Sequence, residues 1–505
     1  MGNPLVRAVK RDGRFEITGS PSVSLGHKLQ SSRNATPDGI FAEWLWDGSR
    51  LLVRNDRYGF YPLYYFVRKG EVCVSTSILE LLAQGAPTDI NEAGFSVFLR
   101  LGFFISEDTP FRAIRALPPD AGFAWQDDTL RSSGTYACGK RQFLKRDEAI
   151  DGYIALFRTA IERRLPTRED FTVPISGGRD SRHILLELCA AGRPPRFSVT
   201  LPRFPPAQSE DVHVAAALAE AVGVRLVVLR QARSQLRAEL QKNLQTSFCA
   251  DENAWYLAMV DYLKGRASLI YDGIGGDVLS ESRNLSAERV ELFDSGRFTD
   301  LAEHMFVRNE TGLARLLQPQ FYRRCGRDLA VDQLVAELKK HVDAPNPIGS
   351  FYFWNRTRRE IALAPYGLLN TVAEVYSPFL DHDLFDFLTS LPATMLLDRQ
   401  FHTETVRRAH PRFARIPFES RATPTGMYRS HFRRLALELG WYTLRHTPSP
   451  IVRTSLLIPR LVLGVLNGDH VKMGAAAHPL VPYLLQLGDV LSEGPRIPSR
   501  QSSLA

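Results

Sequence analysis

The chain has 505 residues, of which 44 % are hydrophobic and 23 % charged, with a net charge of +8. This length and apolar share supply more than one packed core, which excludes disordered, fibrous and small disulfide-stapled classes. The positive balance admits a nucleic-acid partner, but the densest basic groups, Arg323-Arg324 and Arg356-Thr357-Arg358-Arg359, are short and scattered. They read as solvated surface, so nucleic acid is not expected as a partner.

No uninterrupted apolar run approaches the ~20 residues that span a bilayer. The best candidate, Ser455 to Leu466, contains Pro459 and Arg460 and reads as a core helix. The first residues show no apolar signal-peptide core. Five cysteines without regular spacing suggest free thiols in a reducing compartment, so a cytoplasmic location without a membrane partner is expected.

In chain order, Phe41 to Trp46, Leu51 to Arg54, Leu63 to Phe66 and Val72 to Ser75 carry the apolar patterning of antiparallel strands. Phe171 to Ile175 is a short β-branched run that stops at Ser176-Gly177-Gly178, followed by Arg179-Asp180-Ser181 and a helical pattern over Ile184, Leu185, Leu186 and Leu188. Further strands are expected at Arg196 to Leu201, at Arg225 to Leu229 and at Ser268 to Tyr271, with an amphipathic helix from Ser209 to Val222 between the first two. The last of these strands enters Asp272-Gly273-Ile274-Gly275-Gly276-Asp277. Strands alternating with helices indicate a parallel sheet, whose ligands bind beyond the carboxyl ends of the strands. Trp441, Tyr442, Leu456 to Leu466 and Leu480 to Leu491 suggest helices, and the residues from Gly494 onward are Pro/Ser/Arg-rich and read as a disordered tail.

A Gly-Gly turn between strand and helix can be mere punctuation. It also presents free N–H groups at the positive end of a helix dipole, where phosphate oxygens bind. Ser176 and Ser181 add donors, and Asp180 with Asp277 can hold a magnesium ion on the phosphates of ATP. Arg179, Arg182 and His183 are further candidates for phosphate contact. The nucleotide site is therefore read as Ser176, Gly177, Gly178, Asp180, Ser181, Gly275 and Gly276, with Asp180 and Asp277 on the metal.

Ser-Gly-Gly-x-Asp-Ser resembles the pyrophosphate-binding loop of ATP pyrophosphatases. The order of motifs resembles the asparagine synthetase family: this loop, the acidic pair Glu210-Asp211, Gly273 to Asp277, then Glu374-Val375-Tyr376-Ser377-Pro378-Phe379-Leu380-Asp381-His382. Asn55 to Tyr65 and Gly102 to Gly122 are similar to landmarks of that family's N-terminal glutaminase domain. The resemblance implies an Ntn-hydrolase-like antiparallel β-sandwich with helices over residues 1–140. It implies a doubly wound parallel-sheet ATP-pyrophosphatase domain (adenine nucleotide α-hydrolase-like), ending in a helical part, over 145–492, with 493–505 as tail.

The implied activity is an AMP-forming amide ligase using ATP and Mg2+. A small-molecule or peptide carboxylate is activated as an acyl-adenylate, then attacked by ammonia or an amine, with Glu374 orienting or deprotonating the amine. The bland alternative for Glu374 is a carboxylate paired with an arginine. A homodimer is compatible with this plan. The sequence departs from the family in three places. Gly2 stands where the family's N-terminal cysteine nucleophile is expected, implying a glutaminase-like scaffold without glutamine hydrolysis unless the chain starts elsewhere. Ile274 replaces a polar loop residue. Arg421, within Phe418 to Thr423, stands where a lysine neutralises departing pyrophosphate, with a guanidinium fork in place of an ammonium. An intramolecular cyclase of the β-lactam synthetase or lasso-peptide type and a non-catalytic ATP-binding relative remain open beside the ligase.

Overall fold

The computed structural model describes residues 3–29, 37–126, 129–202, 210–419, 428–468, 473, 476 and 478–493. Ten strands build the N-terminal part: β1 (Leu5–Arg11), β2 (Arg14–Gly19), β3 (Ser22–Gly26), β4 (Phe41–Trp46), β5 (Leu51–Asn55), β6 (Tyr64–Arg68), β7 (Glu71–Ser75), β8 (Arg115–Ala116), β9 (Gly122–Gln126) and β10 (Thr129–Ser133). They form two five-stranded sheets, in the orders β2-β1-β7-β6-β8 and β10-β9-β5-β4-β3. Neighbouring strands run antiparallel throughout. Alternation along each strand turns Val6, Ala8, Trp44, Val53, Val72, Val74, Phe123 and Trp125 into a shared core between the sheets.

The four strands expected from the sequence are all present. β1 to β3 and β8 to β10 were not among the expected strands, although Phe15 and Ile17 of β2 and Val23 and Leu25 of β3 alternate with polar residues and pack against the core between the sheets. The opposite face of the first sheet, with Tyr64, Phe66 and Cys73, packs against helices Ile78–Ala83 and Glu92–Leu101 and against the C-terminal helices.

A second architecture follows. β11 (Phe171–Pro174), β12 (Phe197–Thr200), β13 (Leu226–Val228), β14 (Leu269–Tyr271) and β15 (Glu374–Tyr376) form one sheet in the order β13-β12-β11-β14-β15. Every pairing in it is parallel. The chain adds β12 and β13 on one side of β11, then crosses to add β14 and β15 on the other. The turns after β11 and β14 therefore leave the sheet at its topological switch point, where a crevice opens. Val173, Val199, Ile270 and Val375 from these strands pack with Ile184, Leu188, Leu218 and Leu384 of the surrounding helices. The whole is a mixed α/β protein, with antiparallel sheets first and a parallel sheet with helices after.

The two parts are pinned together by buried charge. Arg164 lies between Asp38, at 2.6 Å, and Asp381, at 2.8 Å, and all three residues are buried. Asp381 also caps helix His382–Ser390, accepting from the N–H groups of Asp383 and Leu384. The Pro378–His382 segment is thus a buried turn before a helix. Arg57 forms a two-pronged pair with Asp386.

The basic group at 356–359 departs from the expected solvated surface. Arg358 donates to the carbonyl of Leu117 at 2.9 Å and Arg359 to that of Asp108, and both arginines are buried. They lie on Phe353–Ile361, a widened helix with an i→i+5 bond from Ala362 N to Thr357 O of 2.8 Å.

The C-terminal helices Arg429–Arg445, Thr454–Asn467 and Leu480–Glu493 match the apolar segments seen in the sequence. Thr454–Asn467 buries only one face, through Leu457, Leu461 and Gly464, and leaves Leu456, Val462, Leu463 and Leu466 exposed. It is a half-buried helix where a core helix was expected. Among the described residues no helix is long and apolar enough to cross a membrane. The expected tail from residue 494 lies outside the described residues.

Candidate functional site

β11 ends at Pro174 and the chain turns through Ser176, Gly177 and Gly178 into helix Asp180–Ala190. β14 ends at Tyr271 and turns through Asp272 to Gly275 into helix Gly276–Ser280. The two turns meet: the backbone N–H of Asp277 donates to Asp180 Oδ2 at 3.0 Å. Glycine is what permits this approach. A Cβ placed on Gly276 would fall 2.5 Å from Asp180 Cγ, a distance no side chain tolerates. Gly275 holds φ at 93°, the left-handed region glycine enters at no steric cost.

Around this junction lies a cleft of about 360 Å³. Ser176, Gly178, Asp180, Ser181, Gly275 and Asp277 all line it. Gly177 lies in the same turn, and its N–H donates to the carboxylate of Asp211 in a short contact. Ser181 Oγ accepts from the N–H of Ser176 at 3.1 Å and Ser176 Oγ from that of Gly178 at 3.2 Å. Oxygen acceptors thus already sit on the loop amides, as anionic oxygens would. Asp211 lies in the first turn of helix Glu210–Val222, so this member of the acidic pair reaches the same loop. The helix beginning at Asp180 presents further N–H groups that no intrahelical carbonyl can satisfy.

The remaining candidates divide. Arg179 lines the cleft, with its Nε donating to Thr403 Oγ1 at 2.8 Å and lying 3.5 Å from Glu281. Arg182 turns away: it donates to the carbonyls of Ile416 and Pro417 and stacks on Phe418. His183 is fully buried against Phe157. Burial, then neighbouring His402 and His410, hold its pKa well below the usual histidine value.

Glu374 is not among the residues lining the cleft. It opens β15 opposite Leu269, the first residue of β14, and so stands at the amino end of the sheet, away from the turns that close the cleft. Burial raises its pKa while the charge of Arg168 opposes the rise, in keeping with the bland reading of a carboxylate near an arginine. Arg421 lies outside the described residues.

Four further residues, none of them expected at this site from the sequence, contribute. His402, from helix Phe401–Ala409, places Nδ1 2.9 Å from Ser280 Oγ and 3.3 Å from Asp180 Oδ1. Because Ser280 Oγ donates to the carbonyl of Gly276 at 2.6 Å, it accepts from His402, which therefore carries its proton on Nδ1. Arg356 and Thr357 enter the cleft from the widened helix. Arg283 places Nε 3.9 Å from Asp277 Oδ2. These residues reach the cleft through tertiary packing, which no local spacing announces. Asp272, half-buried in the second turn, also lines the cleft, and desolvation is the main cause that pushes its carboxyl up to about 6.

The arrangement joins two carboxylate-bearing turns, helix N–H groups and arginines at one mouth. It is suited to a polyphosphate carrying a divalent cation.

Residues 25–137 match the model of a glutamine amidotransferase domain. No curated protein matches the chain.

Proposed function

We propose that this protein is an ATP-dependent, AMP-forming amide ligase of the asparagine synthetase type, in which an Ntn-hydrolase-like N-terminal domain accompanies an ATP-pyrophosphatase-type domain. The observation that carries this reading is the 3.0 Å contact between Asp277 N and Asp180 Oδ2, which brings together two phosphate-type turns at the switch point of a parallel sheet. The donor set fits the group: Asp180 and Asp277 would hold Mg2+, and the first amides of helix Asp180–Ala190 would face the phosphates of ATP.

ATP with Mg2+ supplies an activated phosphorus and a good leaving group. The chain's own part is positioning and neutralisation of charge, which phosphoryl-type transfers chiefly require. The N–H groups at the start of helix Asp180–Ala190 and the guanidinium of Arg179 stabilise negative charge as pyrophosphate departs. Thr403 and Glu281 fix the Arg179 guanidinium. His402 holds the Asp180 carboxylate from behind, leaving its mouth-facing side for the cation. Arg356, which lines the cleft and pairs with Glu252 and Glu360, would offer a cation near the substrate carboxylate. The amine that completes the amide arrives as free ammonia or as part of a second substrate.

Supply of ammonia by a thiol of the N-terminal part finds no support among the five cysteines. Burial pushes Cys73 and Cys325 up to about 12 and Cys189 up to about 11. Cys138 and Cys249 are raised as well, again chiefly by burial. Reactive thiols need the opposite shift.

The test is pyrophosphate release from ATP and Mg2+ across a panel of amino-acid and peptide carboxylates, wild type against Asp180→Ala. Release above background by wild type alone supports the ligase. Equal background release from both proteins across the panel rejects it.

A further inference from the structure

We propose that His183, Glu187 and His410 form a buried site for one divalent transition-metal ion of the zinc class, separate from the cleft carboxylates. His183 and Glu187 stand one turn apart on helix Asp180–Ala190, and His410 ends helix Phe401–Ala409. One ligand atom from each lies within 4.8 Å of the others, and all three residues are buried. Two imidazoles and a carboxylate are a donor set that suits zinc and its neighbours, whereas magnesium avoids imidazole.

The polar bookkeeping points the same way. His183 Nε2 is fully buried and has no hydrogen-bond partner among the described residues. The other ring nitrogen, Nδ1, already has a neighbour in His402 Nε2 at 3.4 Å, which in turn lies 3.3 Å from Tyr153 OH. Nε2 is therefore the nitrogen of His183 left for a metal ion.

His410 Nε2 stands 3.0 Å from a Glu187 carboxylate oxygen, yet makes no aligned hydrogen bond with it. That separation is close to the edge of a coordination sphere: ligands at ~2.0–2.1 Å from zinc lie about 3.3 Å apart. Supporting contacts of the kind that orient metal ligands are also present. Arg158 donates to Glu187 at 3.3 Å, and His402 Nε2 lies 3.4 Å from His183 Nδ1. A bound ion would staple the helix that begins at Asp180 to the helix that carries His402 and Thr403. The inference does not depend on nucleotide binding.

The experiment uses the full chain with neither ATP nor magnesium. After chelator treatment and dialysis, Zn2+ alone is titrated and metal content measured per chain, and Co2+ substitution is followed by visible absorption. The expected result is one Zn2+ per chain, a rise in melting temperature, and Co2+ bands of a four-coordinate N/O site. Glu187→Gln and His410→Gln, each checked for folding by circular dichroism, are expected to lose at least ~10-fold in affinity. Absence of retained Zn2+ in wild type overturns the proposal and leaves Glu187 simply paired with Arg158 and His410. Equal Zn2+ affinity in wild type and folded variants overturns it too, by placing the metal elsewhere.

Discussion

Asp277 gives its backbone N–H to the Asp180 carboxylate across a sequence separation of 97 residues, at 3.0 Å. One contact thereby ties the backbone of the second turn to the Asp180 side chain of the first. It also makes Asp180 a structural acceptor as well as a candidate metal ligand, and the two roles separate by mutation. Asp180→Asn keeps one carbonyl oxygen, for the Asp277 N–H, and removes the negative charge, while its NH2 replaces the oxygen beside His402 Nδ1, which keeps Ser280 Oγ as its acceptor. Pyrophosphate formation is expected to fall at least ~10²-fold, the range seen when a key electrostatic contact is removed. The unfolding midpoint in urea should stay close to wild type.

Gly276→Ala tests the close approach itself. The new Cβ would meet Asp180 Oδ1 at 2.6 Å and Cγ at 2.5 Å, so the carboxylate must swing out of place. Overpacking of this kind costs about 1–3 kcal/mol. Urea denaturation should show that loss, and Mg2+-dependent ATP binding by calorimetry should weaken in parallel.

Arg164→Ala probes the seam between the two parts. It strips the counter-charge from Asp38 and Asp381, which are both buried. Breaking a buried pair from one side costs about 3–5 kcal/mol. A marked fall in melting temperature is expected, whereas Arg50→Ala, which breaks the exposed pair with Asp47, should shift it little.

Asp272 gives a pH signature. Its folded-state carboxyl is pushed up to about 6 by burial, with the nearby Asp180 charge adding to the rise and the Ile274 N–H opposing it. The stability this group contributes is therefore fully present below the ordinary carboxylate value and is lost as pH rises through about 6. Asp272→Asn keeps an acceptor for the Ile274 N–H, which Asp272 Oδ1 now accepts at 2.8 Å. Without nucleotide or metal, the variant should match wild type at pH 4 and exceed it by about 1–3 kcal/mol at pH 7.5. Urea midpoints at the two pH values check this, and an equal difference at both would count against it.

Much of the fold was legible because its signals are local. β-Branched runs punctuated by glycines announced β11, β12, β13 and β14, and alternating aromatics announced β4 to β7. β1 to β3 and β8 to β10 were not, although Phe15 and Ile17, and Val23 and Leu25, alternate with polar residues: such short runs become strands only through pairing with distant segments. Arg358 and Arg359 were misjudged for a related reason: a guanidinium can be buried when carbonyls from a distant segment receive it, and those of Leu117 and Asp108 do.

By itself the sequence determined the chemistry on offer: two glycine-hinged turns, each leaving a strand and carrying an aspartate, with serines and an acidic pair able to join them. Only the tertiary structure decided which groups share a cleft. Sheet order sets β11 beside β14 and so brings Asp180 to Asp277. Strand register sets Glu374 at the far end of the sheet, and helix packing brings Arg356 to the cleft and His402 and Thr403 behind it. The physical reason is range. Backbone propensity acts over a few residues, whereas a binding site is assembled by core packing and strand pairing between segments that no local pattern connects.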